Sequence, residues 1–163
     1  MDPDLEIWSG GQTGVDRAAL DVAHDLGIPH GGWIPAGRLA EDGVIPLKYD
    51  RLQETGSPDY AVRTEWNVRD TGGTLLLSWG PLVGGSLHTR TVADGIGKPV
   101  LHLDLDVIPL KVAVHRARAW LASLPHPLRL NVAGPRASGW PQGYDVVTRL
   151  LGAILQPEAK SRS

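Results

Sequence analysis

Five short apolar runs rich in leucine or β-branched residues recur along the chain, at residues 5–9, 28–34, 74–79, 99–105 and 128–133. Between them the apolar positions change to a helical period. Val15, Ala18, Ala19, Val22, Ala23 and Leu26 share one helix face, and Gly27 then stops the helix. Val147, Leu150, Leu151 and Ile154 form a similar stripe in residues 144–155. Residues 58–69, 86–96 and 110–124 supply the other helical segments, the first with Ser57 as N-cap and Pro58 at its first helical position. Strands alternating with helices predict an α/β fold, with a mainly parallel sheet of about five or more strands.

One connection breaks this rhythm. Residues 35–57 have no clear period and exceed the roughly 12–15 residues usual for a structureless loop. Leu39, Val44, Ile45, Leu47, Tyr49 and Leu52 argue that the segment is ordered. Long ordered loops carry function, so the loop is expected to pack beside the ligand site.

The chain has 163 residues, a length that fits one domain, assigned to residues 1–156, with the polar residues 157–163 expected to fray. It contains no cysteine, which removes disulfides, cysteinyl metal sites and thiolate nucleophiles from consideration. A formal net charge of −2 gives no global pull towards nucleic acid or anionic membranes. The start, Met1-Asp2-Pro3-Asp4, lacks the basic and apolar regions of a signal peptide, and no apolar run reaches the ~20 residues of a membrane span. A soluble cytoplasmic protein is expected.

In open α/β sheets, ligands bind outside the carboxyl ends of the strands, and glycines cluster there in this chain. The first run passes into Ser9-Gly10-Gly11-Gln12-Thr13-Gly14 at a helix start, an oxyanion cradle by position or else a tight turn. The third ends Ser78-Trp79-Gly80 and is followed by Gly84-Gly85-Ser86, a second such cradle or a self-capped helix. The fifth runs into Gly134-Pro135-Arg136, where Arg136 either grips an oxyanion or makes a surface salt bridge. Tyr60, Arg63, Thr64 and Asn67 fall on one helix face, a hydrogen-bonding wall for a polar ligand or a buried structural network. The spacing of Gly10-Gly11-x-x-Gly14 is not the dinucleotide fingerprint, and no Gly-Lys-Ser or Gly-Lys-Thr of a P-loop is present.

Other constellations are weaker. His102, Asp104 and Asp106 alternate on one strand face and offer hard metal ligands on paper, but their place near a strand end favours loop capping. Glu41 and Asp42 form a candidate acid/base pair whose adjacent side chains point apart. Most of the six tryptophans are expected to fill the core, with Trp33 and Trp79 at strand ends able to stack on a flat ring.

Taken together, Gly10-Gly11-Gln12-Thr13-Gly14-Val15-Asp16-Arg17, Gly32-Trp33, Gly37-Arg38, Ala40-Glu41-Asp42-Gly43, Arg63-Thr64-Glu65-Trp66-Asn67 and Asn131-Val132-Ala133-Gly134-Pro135-Arg136 resemble the molybdenum carrier family, which includes molybdenum cofactor carrier proteins. The resemblance runs from about residue 9 to residue 155. It implies a single Rossmann-like three-layer domain, similar to lysine-decarboxylase-like proteins, and a homodimer or homotetramer. The implied role is non-catalytic: to bind, protect and carry molybdenum cofactor, a phosphorylated molybdopterin, with molybdoenzymes as clients. For such a cargo the phosphate candidates are Gly10, Gly11, Gln12, Thr13 and Gly14, with Gly84, Gly85 and Ser86; Trp33 or Trp79 and Thr64 or Asn67 are candidates for the ring, and Gly134 belongs to the third turn of the site. Arg38, Arg63 or Arg136 would serve the oxomolybdenum end. No protein thiolate can ligate the metal. The hydrolase relatives suggest nucleotide processing as the rival, but their Pro-Gly-Gly-x-Gly-Thr-x-x-Glu is only partly matched at residues 81–90, where the second glycine and the glutamate are missing. Acid/base help would then fall to Glu41, Glu65 or His88. A sensor of nucleotides or oxyanions is a third reading.

Overall fold

A computed structural model describes residues 4–156. The expected tail, residues 157–163, and the first three residues lie outside that range. All five apolar runs form strands: β1 (Leu5–Trp8), β2 (His30–Ile34), β6 (Gly73–Ser78), β7 (Val100–Asp104) and β8 (Leu128–Ala133). Three more strands lie within residues 35–57: the two-residue pair β3 (Leu39–Ala40) and β4 (Gly43–Val44), and β5 (Leu52–Glu54). Six of these strands make one sheet, in the order β5-β2-β1-β8-β6-β7, with every pairing parallel. Strands β3 and β4 form a separate antiparallel hairpin.

Five helices complete the chain: α1 (Val15–Asp25), α2 (Tyr60–Arg69), α3 (Gly84–Ile96), α4 (Leu110–Ser123) and α5 (Gly143–Leu155). Helix α5 packs on both α1 and α4, while α2 packs on α3. This is the three-layer, Rossmann-like arrangement that strand–helix alternation predicts. The start of α2 differs from the sequence expectation. Asp59, not Ser57, caps it by accepting the Ala61 amide at 2.9 Å, and the Ser57 hydroxyl accepts the Asp59 amide one step earlier. A carboxylate nearer the helix outcompetes the more distant hydroxyl.

Strand alternation sends Leu5, Ile7, Leu75, Leu77, Leu103, Leu128, Leu130 and Val132 towards α1, α4 and α5, where they join the stripes of those helices in the main core. A smaller cluster of Leu20, Ile34, Ala40, Ile45, Tyr49 and Leu52 holds the long connection against α1 and the β2 edge. Inside that connection the Arg38 guanidinium donates to the carbonyls of Ile45, Pro46 and Tyr49 at 3.0–3.1 Å. Of the six tryptophans only Trp140 is fully buried, so the expectation of tryptophan core filler fails. The leucine-rich strands already fill the core; Trp120 packs partly buried against it, and Trp8, Trp33, Trp66 and Trp79 lie outside it.

Gly32 marks the tightest approach of two strands. Its backbone has φ 142°, and a Cβ there would sit 1.9 Å from the Ser9 carbonyl oxygen. Gly32→Ala must push β2 away from the end of β1, and is expected to lower stability by about 2 kcal/mol or more in urea unfolding. A loss below about 0.5 kcal/mol would show that this strand end can relax.

Candidate functional site

The sheet face turned to α2 and α3 carries a different chemistry from the core face. Thr74, Ser78 and Asn131 are all buried there, and the Asn131 amide donates to Thr74 Oγ1 at 3.2 Å. Ser78 Oγ lies 2.7 Å from His102 Nε2 and donates to the Gly80 carbonyl at 2.7 Å. Burial holds the His102 ring below its usual pKa. Buried polar groups must be paired or must face a ligand or water. Between this face and the two helices lies a cavity of about 560 Å³, within the range of small-molecule sites.

The cavity sits over the carboxyl ends of β1, β8 and β6, through Gly10, Gly134 and Ser78-Trp79. Helix α2 brings Tyr60, Arg63, Thr64 and Asn67 to one wall, so the predicted polar stripe does face the site. Two of its members also have structural partners. Asn67 accepts the Trp33 amide at 2.8 Å and donates to the Trp33 carbonyl at 2.9 Å. Arg63 is 7% exposed; its Nη1 donates to the Gly10 carbonyl at 2.6 Å and its Nε to the Tyr60 carbonyl at 3.3 Å. Its Nη2 makes no hydrogen bond within the described residues, leaving a buried cation with donors to offer.

The two main glycine turns differ in what they leave free. In the first, Ser9 Oγ takes the Gly11 amide, the Asp16 carboxylate takes the Gln12 amide, and the Gln12 side-chain oxygen takes the Thr13 amide. The turn caps itself, with a carboxylate where an anion would come. In the second, no side chain caps α3, and the amides of Gly84, Gly85 and Ser86 meet no acceptor among the described residues. Nothing lies within 4 Å of a Cβ built on Gly84 or Gly85. A positive helix end, free N–H groups and open space give this turn, unlike the first, the chemistry to receive an anion.

Eleven of the sixteen residues singled out from sequence line the cavity: Gly10, Gln12, Arg63, Thr64, Asn67, Trp79, Gly84, Gly85, Ser86, Gly134 and Arg136. Gly11, Thr13, Gly14, Trp33 and Arg38 do not. Gly11 backs onto Ile34 and Ile45, Gly14 onto the Pro135 carbonyl, and Thr13 bonds Glu41 and the Ala137 amide. The Trp33 indole donates to Asp70 and stacks edge-on against Trp66, behind α2. Arg38 is tied into the long connection as described. Trp79 remains available: it is 53% exposed at the cavity mouth and stacked on buried Trp140, ring centroids 6.1 Å apart.

The long connection itself contributes no lining residue. It touches the site indirectly. Glu41 accepts Thr13 Oγ1, the Ser138 amide and the Ser138 hydroxyl, contacts that hold its carboxyl below the usual range, and it lies 3.6 Å from Arg136. Asp42 makes a two-pronged ion pair with Arg17. These two carboxylates clamp the hairpin to α1 and the β8–α5 turn, which leaves neither free for acid/base work. Glu65 and His88 face each other at 3.4 Å. Asp104 caps the β6 turn and its own loop by accepting the amides of Gly80 and Asp106. Among the described residues no group of three metal-ligating side chains comes together.

Asp16 is the cavity residue that motif reading passed over. It is 7% exposed beside Arg63 Nη1 at 3.8 Å, and burial pushes its pKa up to about 6 against the opposing pull of Arg63 and the Gln12 amide. Its signal in the sequence was an acidic residue in the first turn of an otherwise apolar helix face.

The strand order decides the relationship. If the chain is read as beginning at β8, the sheet order β5-β2-β1-β8-β6-β7 becomes consecutive outward from β8 on one side, with β6 and β7 on the other. That is a doubly wound sheet whose ends have been joined and reopened, with its switch point between β8 and β6, where the cavity lies. The model of the circularly permutated YpsA SLOG family matches residues 7–155. The chain belongs to this family. A crystal structure of a family-like chain, a "Putative molybdenum carrier protein" from Syntrophus aciditrophicus SB, superposes with a TM-score of 0.90 at 46% identity, covering 96% of this chain and 98% of that one. The resemblance to molybdenum carriers read from the motifs is thereby upheld. No curated protein matches.

The Asp16 pKa has a measurable consequence for this family member. An unfolded aspartate titrates near 3.9, so between about pH 4 and pH 6 the folded chain keeps a proton that the unfolded chain has released. Stability from this group therefore falls as pH rises through that window, by about 3 kcal/mol in all. Urea unfolding of the wild type minus that of Asp16→Asn should show this difference most positive near pH 4 and lost by pH 7. A difference independent of pH would mean that Asp16 titrates normally.

Proposed function

We propose that the chain is a non-catalytic carrier that holds a phosphorylated ring compound of the molybdenum cofactor type in the cavity between α2, α3 and the sheet. The observation that carries this reading is the uncapped start of α3 facing the same cavity as the buried Arg63. A phosphate placed there meets free amides, a helix dipole and a guanidinium together. The name of the Syntrophus aciditrophicus relative supports molybdenum as the cargo's metal.

The donor set fits the organic parts of such a cargo. The exposed face of Trp79 suits stacking on the ring, with Thr64 on the α2 wall for hydrogen bonding. Arg136, 55% exposed in its side chain at the rim, would meet the oxo end. With no cysteine in the chain, the metal keeps its own dithiolene ligands and remains transferable to a client molybdoenzyme. A cytoplasmic homodimer or homotetramer completes this reading. Among the described residues, no helix is long and apolar enough to cross a membrane.

The test is to purify the chain from a cofactor-competent host, measure molybdenum and pterin per protomer, and titrate cofactor into the stripped protein. Bound pterin and micromolar or tighter affinity are expected, and Arg63→Ala should weaken binding by about 1–3 kcal/mol, roughly 5- to 150-fold. No binding at micromolar cofactor would contradict the proposal. Unchanged affinity in a folded Arg63→Ala protein would confine that residue to a structural role.

A further inference from the structure

The cavity floor carries polar groups that the phosphate reading does not use. Gln12, 6% exposed, has its side-chain oxygen occupied by the amides of Thr13 at 3.1 Å and Glu41 at 2.9 Å. Those two donors fix the orientation of the side-chain amide, so the NH2 group is the end left free. Four residues on, the Asp16 carboxylate accepts the Gln12 backbone amide at 3.2 Å and leans on the Gly10 amide. A carboxylate has about four acceptor sites, and here half remain for a ligand. Both residues line the cavity. Acceptors beside a donor, all held in place by backbone groups, form a recognition edge.

We propose that Asp16 and Gln12 read the edge of the ligand's ring and select a 2-amino-4-oxopyrimidine, the edge shared by guanine and pterin. The carboxylate would accept from the ring N–H and the adjacent exocyclic NH2, while the Gln12 NH2 donates to the neighbouring carbonyl. Adenine offers one NH2 beside an unprotonated ring nitrogen, which would face the carboxylate lone pair to lone pair. This assignment rests on the phosphate reading above, because the anion site supplies the other anchor. Asp16 follows β1 and the α3 amides follow β6, with β8 between them, so a base edge and a phosphate would be held over different strand ends of the same cavity.

Calorimetric titration of the full chain with GMP, IMP, AMP, a pterin phosphate, ribose 5-phosphate and inorganic phosphate tests this. GMP and the pterin phosphate should bind about tenfold or more tighter than AMP, with IMP, which lacks the 2-amino group, in between. Whichever of GMP and the pterin phosphate binds tighter identifies the source of the edge. In Asp16→Asn the GMP-to-AMP ratio should collapse to within about threefold, while the ligand series on the wild type stands even if that variant fails to fold. If ribose 5-phosphate binds and the nucleotides bind alike, or AMP is preferred, the edge assignment is wrong and the phosphate cradle survives. If no phosphate compound binds, both readings fall.

Discussion

The contact between Arg63 and the end of β1 is the constraint around which the site is arranged. The guanidinium crosses from α2 to the Gly10 carbonyl, and its Cδ and Nη1 occupy the space where a Gly10 Cβ would come within 2.6 Å. Gly10 is therefore glycine because an arginine lies on it. The same cation stands 3.8 Å from Asp16, so a buried charge pair is held at the cavity floor by partners from two elements. A pair of this kind is expensive to desolvate and is weak evidence for stability.

The division of labour between the two sheet faces follows. One face satisfies the hydrophobic requirement of the fold through α1, α4 and α5, and it does so with ordinary leucine and valine packing. The other is thereby released from that duty and carries Thr74, Ser78, Asn131 and the α2 stripe. Opening the doubly wound sheet at β8 keeps the switch-point crevice intact, because strand neighbours rather than chain order define it. The ends of β8 and β6 meet there whichever strand comes first.

Much of this was legible in the residues. The short apolar runs located the five main strands and the helical periods the five helices, since both patterns express burial. The stripe of Tyr60, Arg63, Thr64 and Asn67 was legible for the same reason. What escaped is long-range. That β5 would pair with β2 depends on Leu52, Gln53 and Glu54, too short a run to carry a period. That the first glycine turn would cap itself depends on Gln12 and Asp16 folding back on it, and that Arg38 would serve the loop depends on three carbonyls 7–11 residues away. A glycine turn before a helix reads the same in sequence whether its amides are taken or free. Only the partner side chains distinguish the two cases, and residue type alone does not say where they point.

On the proposed carrier reading, an anion binds at the start of α3 beside Arg63, and not over the turn after β1. Crystals of the protein soaked in tungstate locate a tetrahedral oxyanion directly by its anomalous scattering. A peak is expected within hydrogen-bonding reach of the Gly85 and Ser86 amides and the Arg63 guanidinium, about 3 Å from donor to oxygen. A peak seated instead over Gly10, Gly11 and Gly14, with the α3 amides unoccupied, would contradict it.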